Sequence, residues 1–365
     1  MITIKIVDNR PEWDQALAGL PAAHVLQSWA WGEFKSRWGW TAERLLWLAD
    51  GAPAAAAQIL ARPIPYTPWR FLYVSKGAAL AYGNSGLAGQ VLADLEDYSR
   101  RAGALFIKID PDLPRRYGEP DEGCPPEPAG QAALALLAQR GWRFSPEQIQ
   151  FRNTVWLDLS PAPDELLAGM KGKWRYNIRL AERKGVAIRP GTAVELPLFY
   201  RMYAETGARD GFLIRPEAYY LDVWRQFIEL GQAELLLATV GDEVVAGLIL
   251  FFFGPTAWYM YGASTGQQRQ LMPNYLLQWQ ALCRARARGC RRYDLWGAPD
   301  RFEAGDPMWG VYRFKQGFGG QVVQGLGAFD YPARPALYWA FVQALPRLRA
   351  VWRRLRRGSG ELTHG

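Results

Sequence analysis

The stretch "ELLLATVGDEVVAGLILFFF", residues 234–253, decides the fold. Its two apolar runs flank a tight turn at Gly241, a pattern that predicts an antiparallel β-hairpin. The stretch "LLWLADGAPAAAAQILARP", residues 45–63, repeats the pattern around Gly51. Because the two hairpins lie about 190 residues apart, we expect an internal repeat built on one domain plan.

The elements that follow each hairpin also correspond. The first hairpin is followed by the strand "WRFLYVSKGAAL", a helix over about 86–102 and the strand "ALFIKIDP". The second is followed by "AWYMYGAST", a helix over about 273–288 and "CRRYDLWGAP". Both units run strand, strand, strand, helix, strand, which predicts a two-domain α/β (α+β) protein. The predicted parts are a first domain at 1–153, a second domain at 154–330 and a basic amphipathic tail at 331–365.

Composition excludes several classes of protein. The chain has 365 residues, of which 49% are hydrophobic, enough for two buried cores. Three cysteines without a CxxC pair argue against a zinc site and a disulfide framework. The chain has only two histidines, which argues against a Ser-His-Asp catalytic triad because the triad needs a positioned imidazole. We therefore predict no metal and no cofactor. The net charge of +8 indicates an anionic partner without identifying it.

The two ends and the middle of the chain carry local signals. The start, "MITIKIVDNRPEWD", lacks the apolar core of a signal peptide, and the longest apolar run, 244–253, is too short to cross a membrane, so we predict a cytoplasmic protein. Pro, Gly and acidic residues predict an exposed loop at 111–130. In the tail, apolar residues at helical spacing accompany six arginines between 347 and 357. That tail either lies on an anionic membrane surface or packs on the first domain.

A basic helix is predicted within "KGKWRYNIRLAERKGV", residues 171–186. It runs from about Lys173 to Lys184 and ends at a glycine suited to the left-handed conformation. The arginines follow one another at intervals of four, which aligns them along one face. They are Arg175, Arg179 and Arg183. This face is either solvated or a binding site for an anion.

Four stretches resemble, in the same order, the Fem family of peptidoglycan peptidyltransferases, which use aminoacyl-tRNA to build cross-bridge peptides. They are "LQSWAWGEFKSRWGW" at 26–40, "KGKWRYNIRLAERKGV" at 171–186, "YDLWGAPD" at 293–300 and "GVYRFKQGFGG" at 310–320. The resemblance covers about residues 1–330. It implies two tandem Gcn5-type N-acetyltransferase-like domains, in agreement with the internal repeat. Some members carry a coiled-coil arm, for which residues 196–242 leave no room.

The resemblance also implies an activity. An amino acid would pass from aminoacyl-tRNA, a co-substrate, to the stem peptide of a muropeptide. The muropeptide is attached to a diphosphate, either as the soluble UDP-MurNAc-peptide or as a lipid-linked precursor. A lipid-linked acceptor would bring the protein to the inner face of the cell membrane. The sequence does not indicate which amino acid is transferred.

Four residues match family positions on the acceptor side. By resemblance, Lys35, Arg215 and Tyr219 bind the diphosphate, where the planar fork of an arginine can grip two phosphate oxygens. Tyr261 matches a position near the acceptor. Without the resemblance, Lys35 is an exposed helix lysine, Arg215 a surface turn residue and Tyr261 a core tyrosine.

Two residues match positions on the donor side. By resemblance, Lys315 is the catalytic cation that faces the negative charge developing at the tRNA ester. Phe314 offers a flat face to the terminal adenine, and the arginines of the basic helix bind tRNA. Because Lys315 stands beside Gly317, we expect it to lie outside the core.

A carboxylate is the remaining candidate. Asp110 ends the predicted strand "ALFIKIDP", and ligands of open α/β sheets lie at the carboxyl ends of strands. It is therefore a candidate base for the attacking amine, or a group that orients the acceptor. The alternative is that Asp110 caps the loop after it.

Two other functions fit part of the sequence. An acetyl-CoA-dependent N-acetyltransferase shares the fold, but neither "TGQQRQLMPNY" nor "AYGNSGLAGQ" fits the glycine-rich loop that holds the cofactor pyrophosphate. A non-catalytic RNA-binding protein would explain basic residues interleaved with aromatics, but needs no cleft for a diphosphate. We therefore favour the aminoacyltransferase. Acetyl-CoA binding by titration would favour the first alternative.

Overall fold

The computed structural model describes residues 1–120 and 123–344. Its strands are β1 Ile2–Ile6, β2 Thr41–Ala49, β3 Ala52–Pro63, β4 Arg70–Val74, β5 Ala79–Leu80, β6 Ala104–Ile109, β7 Pro114–Tyr117, β8 Arg143–Phe144, β9 Asn153–Asp158, β10 Val186–Pro190, β11 Ala233–Val240, β12 Glu243–Phe253, β13 Thr256–Ser264, β14 Arg292–Asp294, β15 Gln321–Gly325 and β16 Phe329–Tyr331. Its helices are α1 Arg10–Ala18, α2 Trp29–Ser36, α3 Ser85–Arg101, α4 Pro128–Gln139, α5 Pro163–Gly169, α6 Gly172–Arg183, α7 Leu196–Asp210, α8 Glu217–Glu229, α9 Pro273–Ala287, α10 Trp309–Gln316 and α11 Pro335–Trp339.

The predicted repeat is present in two sheets. In the first, β2, β3 and β4 are antiparallel neighbours, and α3 leads to β6, which runs parallel to β4. In the second, β11, β12 and β13 are antiparallel neighbours, and α9 leads to β14, which runs parallel to β13. The α/β prediction is therefore confirmed. The longest helix of the described chain is α3, with 17 residues, so the described ranges contain no coiled-coil arm.

The two sheets exchange strands. The first sheet has the order β1-β2-β3-β4-β6-β16-β8, with β5 beside β3, and the second has β10-β11-β12-β13-β14-β9-β15-β7. Strand β7 thus joins the second sheet from the first half of the chain, and β16 returns to the first sheet from the end. The predicted exposed loop at 111–130 is wrong, because part of it is β7, paired with β15. The domain limits at 153 and 331 stay a prediction.

The last described segment packs on the first sheet. The ion pair between Lys108 of β6 and Asp330 of β16 is buried, with Nζ and Oδ1 2.8 Å apart. Tyr338 of α11 donates a hydrogen bond to the other Asp330 oxygen at 3.0 Å and packs edge-on against Phe106. Residues 331–344 therefore follow the packed alternative for the tail. The predicted basic segment at 345–365 lies outside the described residues.

The two halves meet where α2 packs on α8. Arg37 forms an ion pair with Asp222 at 2.7 Å, and the Trp38 indole donates to the same carboxylate at 2.8 Å. Gln226 donates to the Ala30 carbonyl at 3.0 Å. A hydrophobic core shared by α1, α2, α7 and α8 continues this contact. Both halves therefore contribute to the surface beside these helices. No helix in the described ranges has the length and apolar character needed to cross a membrane.

Candidate functional site

The contact between α2 and α8 brings three predicted acceptor residues together. The Lys35 ammonium lies 3.3 Å from the Tyr219 hydroxyl, to which it donates a hydrogen bond. The Arg215 guanidinium lies 4.8 Å from the centroid of the Tyr219 ring. Residues from two halves of the chain, 184 positions apart, thus form one cluster. Their role in binding a diphosphate stays a prediction.

In the part of the chain that the structure describes, no carboxylate forms a salt bridge with the positive charges of this cluster. Within residues 1–120 and 123–344, no salt bridge involves Lys35, Arg215 or the nearby Arg62. Burial lowers the pKa of Lys35 to about 8, and repulsion from Arg215 and Arg62 adds to the effect. Since a phosphate would relieve the repulsion and accept further hydrogen bonds, the cluster is suited to an anion.

Aromatic rings form the walls around Lys35. Its ammonium lies 5.1 Å from the centroid of the Trp40 ring and 5.6 Å from that of Trp31, distances typical of cation–π contacts. The Arg62 guanidinium also lies over the Trp40 ring, 5.5 Å from its centroid. Lys35 is only 9% exposed, so the interpretation as an exposed helix lysine is wrong.

Tyr261 lies in an aromatic cluster next to these cations. Its ring centroid is 5.9 Å from that of Tyr203, 5.7 Å from that of Tyr220 and 5.5 Å from that of Trp224. Burial raises the pKa of its hydroxyl well above the usual value, and Arg215 acts in the opposite direction. Tyr261 thus packs as a core tyrosine and also lies within electrostatic range of Arg215. Both interpretations remain open.

Asp110 directly follows β6 and is held by residues in and just after the neighbouring strand β4. Its side chain accepts a hydrogen bond from the Tyr73 hydroxyl at 2.7 Å and another from the Lys76 backbone N–H. Both donors precede Asp110 in the chain, so these bonds do not cap the loop that follows. Burial raises its pKa to about 6, while Lys76 and the two donors act in the opposite direction. The carboxylate can therefore change protonation near neutral pH.

Lys315 lies at the end of α10 and is buried. Its ammonium donates hydrogen bonds to the carbonyls of Trp296 and Gly297, the second at 2.7 Å. With 3% of its surface exposed, it is part of the interior, and the expectation that it lies outside the core is wrong. Burial lowers its pKa to about 7, and the carboxylate of Asp294 opposes this. Because an ammonium has three donors, one N–H remains for a further acceptor.

Phe314 is half-buried between a ring from α9 and a ring from the turn after α10. Its ring centroid lies 5.2 Å from that of Tyr275 and 5.1 Å from that of Phe318. The Trp174 indole of α6 donates to the Phe314 carbonyl at 3.0 Å. A side chain at Gly317 would overlap the Trp174 ring, with a Cβ to ring distance of 2.1 Å. The glycine beside Lys315 therefore allows close packing of α6 on α10.

The three arginines of α6 do not have the same environment. Arg175 is partly buried and donates to the carbonyls of Ala168 and Met170, which closes the turn between α5 and α6. Arg179 and Arg183 are exposed. The latter two keep their guanidinium groups at the surface, where a solvated face and a tRNA site are both still consistent with the structure.

The chain is similar in sequence to a known protein family. The model of the FemAB family matches residues 10–243 and 229–345. The chain belongs to the FemAB family. The lipid II:glycine glycyltransferase of Staphylococcus aureus (strain USA300) is 26% identical over 406 aligned positions, which cover 92% of this chain and 94% of that protein.

Solved structures show the same fold as this FemAB family chain. The crystal structure of FemX matches with a TM-score of 0.82 and 24% identity, over 93% of this chain and 100% of that one. A tandem GNAT protein from the clavulanic acid biosynthesis pathway matches with a TM-score of 0.53 and 13% identity, over 92% and 99% of the two chains. The prediction of two tandem acetyltransferase-like domains is therefore confirmed.

One residue of this FemAB family chain was missed by sequence reasoning. Arg62 is the penultimate residue of β3, and its guanidinium lies beside the acceptor cluster, 5.5 Å from the centroid of the Trp40 ring. In the sequence it is a single arginine before a proline, outside all four stretches that carry the family resemblance. Only the pairing of β3 with β4, together with α2, places it near Lys35. No local pattern could have identified it.

Proposed function

We propose that this chain transfers an amino acid from aminoacyl-tRNA to an amine on the stem peptide of a diphosphate-linked muropeptide. The observation that carries the proposal is the group of three cations, Lys35, Arg62 and Arg215, which have no carboxylate partner in the described chain and lie where the two halves meet. Diphosphate supplies the missing negative charge. Glycine is the first amino acid to test, because the similar Staphylococcus aureus protein is named as a glycyltransferase.

The reaction requires stabilisation of charge on the ester. The amine nitrogen attacks the carbonyl carbon, a C–N bond forms, and the bond from that carbon to the terminal ribose oxygen breaks. Negative charge develops first on the carbonyl oxygen and then on the ribose oxygen, which finally takes a proton. The third N–H of Lys315 is directed by two fixed carbonyl contacts and can donate to this charge.

The attacking amine must first lose a proton. An unperturbed lysine-type amine has a pKa of about 10.4, so it is mostly protonated at neutral pH. We assign Asp110 to accept this proton or to orient the ammonium beforehand. Its raised pKa, about 6, brings it closer to that of the amine than an exposed carboxylate would be, although the transfer remains uphill.

The partners follow from the same proposal. Aminoacyl-tRNA would bind near Phe314 and the exposed Arg179 and Arg183. The acceptor is either the UDP-linked or the lipid-linked muropeptide, and the name of the Staphylococcus aureus relative favours the lipid-linked form. We place the protein in the cytoplasm, in peripheral contact with the inner face of the membrane when it acts on a lipid-linked acceptor.

A transfer assay tests the proposal. The purified full chain is incubated with glycyl-tRNA carrying labelled glycine and, in separate reactions, with UDP-linked and lipid-linked muropeptide. We expect a product heavier by one glycine residue with at least one acceptor. Acetyl-CoA replaces the tRNA in a parallel reaction. If glycyl-tRNA gives no product, the reactions are repeated with a mixture of the other aminoacyl-tRNAs. Acetylated product without aminoacyl transfer, or no product with any aminoacyl-tRNA, would contradict the proposed function.

A further inference from the structure

Two neighbouring carbonyls that hold Lys315 belong to a turn with unusual backbone geometry. Trp296 and Gly297 follow β14 and have φ values of 52° and 84°, both in the left-handed region. A large residue such as tryptophan adopts this region only when its surroundings favour it. The Trp296 N–H donates to the Asp294 carboxylate at 2.8 Å, which fixes one side of the turn.

The side chain of Trp296 contacts the other half of the chain. Its ring centroid lies 5.6 Å from that of His24, and the Lys76 ammonium lies 5.7 Å from it. Both partners are themselves fixed. The His24 Nδ1 accepts from the Leu26 N–H at 3.0 Å, and the Lys76 ammonium donates to the Phe151 carbonyl at 2.9 Å.

These contacts connect two candidate catalytic groups. The backbone N–H of Lys76 donates to Asp110, and the side chain of the same residue lies over the Trp296 ring. The carbonyl of Trp296 accepts from Lys315. A path of three direct contacts thus runs from the Asp110 carboxylate, just after β6, to the Lys315 ammonium on α10. Trp296 is the residue at which this path passes between the two halves.

We propose that Trp296 is a positioning residue, whose ring holds the turn at 296–297 against the first half and whose carbonyl thereby fixes the Lys315 ammonium. This inference rests on the proposed function for its catalytic meaning. Catalytic groups must be held in precise positions relative to the substrate, because a misplacement of about 1 Å can lower a rate by about a hundredfold. Trp296 would thus set the position of a charge that it does not itself carry.

Three variants distinguish the contribution of the Trp296 ring from that of its backbone conformation. Trp296→Gly removes the ring but accepts the left-handed φ without strain. Trp296→Phe keeps an aromatic ring, and Trp296→Leu keeps an apolar side chain if the glycine variant does not fold. Trp339→Ala is the matched control, since it removes a tryptophan from α11, which packs on the first sheet.

The first readout does not need activity. The chain contains eight lysines, so NMR of side-chain ¹³C-labelled lysine can follow Lys315 through a pH titration. Asp294 is the charged group that faces it, and the Tyr259 ring lies 6.0 Å away. In the wild type we expect a pKa of about 7. Trp296→Gly or Trp296→Leu should admit water and move it towards 10.5, whereas Trp296→Phe and Trp339→Ala should leave it near the wild-type value.

The second readout is single-turnover transfer with saturating substrates. Trp296→Gly should lower the rate constant by about ten- to a hundredfold, with little change in the apparent affinity for either substrate. Trp296→Phe should recover most of the rate. An unchanged Lys315 titration in folded Trp296→Gly and Trp296→Leu proteins would overturn the inference. If the wild type transfers nothing, the proposed function fails, while the titration still decides whether Trp296 positions Lys315.

Discussion

Replacing the Lys315 ammonium by a neutral group of similar length should affect catalysis and stability in different ways. Lys315→Met removes the third N–H, which we propose donates to the developing charge. Loss of one such donor typically raises the barrier by about 2.7 to 4 kcal/mol, a decrease of roughly a hundred- to a thousandfold in the single-turnover rate. Substrate affinities should change little, because the interaction strengthens only in the transition state.

The effect on stability follows from burial of the ammonium. The pKa of Lys315 is lowered from 10.5 to about 7, so between these values the unfolded chain binds a proton that the folded chain has released. The free energy of unfolding of the wild type therefore gains a contribution that increases with pH in this window. Between pH 7 and pH 9 that contribution is about 2 to 3 kcal/mol. The methionine variant lacks it, while its two unpaired carbonyls cost about 1 to 3 kcal/mol at every pH.

Urea denaturation of both proteins at pH 7 and pH 9, together with single-turnover kinetics, measures these effects. The difference in unfolding free energy, wild type minus variant, should become larger at pH 9. Lys184→Met is the matched control, because Lys184 is exposed at the end of α6 and its loss should leave both the rate and the pH dependence unchanged. The same difference at both pH values would refute the burial argument, and a normal rate in the folded variant would remove Lys315 from the chemistry.

Three other outcomes are expected. Lys35→Met should weaken binding of UDP-linked muropeptide by about 1.5 to 3 kcal/mol, and Arg215→Gln and Arg62→Gln by less, because both arginines are exposed. Unchanged calorimetric affinity in all three variants would exclude the phosphate site. We expect the wild-type rate to fall as pH decreases through about 6, because protonation would remove the proposed base, and Asp110→Asn should abolish this fall. A variant that keeps the fall assigns it to another group. Deleting 345–365 should preserve turnover of a soluble acceptor but reduce sedimentation with anionic vesicles, because each basic residue at the surface contributes about 1 kcal/mol to the binding free energy. Equal sedimentation of the two proteins would contradict this membrane role.

The repeat could be predicted because its signals are local. Each hairpin shows its turn and its apolar strands within about twenty residues, and each following helix shows its own periodicity. Strand β7 carries no comparable signal. Its four residues, Pro114–Tyr117, lie in a stretch rich in proline and glycine and become a strand by pairing with β15, about 200 positions later. Tertiary contact determines its structure.

In the candidate site too, the sequence indicated individual residues but not their surroundings. Lys35, Arg215 and Tyr219 were assigned by resemblance to family positions, although only Lys35 lies in one of the four stretches. The packing of α2 on α8 brings the three together. The burial of Lys315 was not predicted, because the neighbouring glycine indicated a surface turn. Its environment depends instead on the turn at 296–297, which comes from another part of the chain. Local sequence can identify a side chain without indicating what surrounds it.

The return of β16 to the first sheet has a consequence for protein synthesis. A ribosome makes the chain from its amino end, and the first sheet stays without the strand between β6 and β8 until residue 331 has been added. At about 5 to 20 residues per second, roughly 10 to 40 s separate the appearance of β8 from that of β16. During this interval Lys108 has no Asp330 to neutralise it. We therefore expect the nascent first half to remain open to chaperones until translation ends, and the last strand to complete a domain that was begun first.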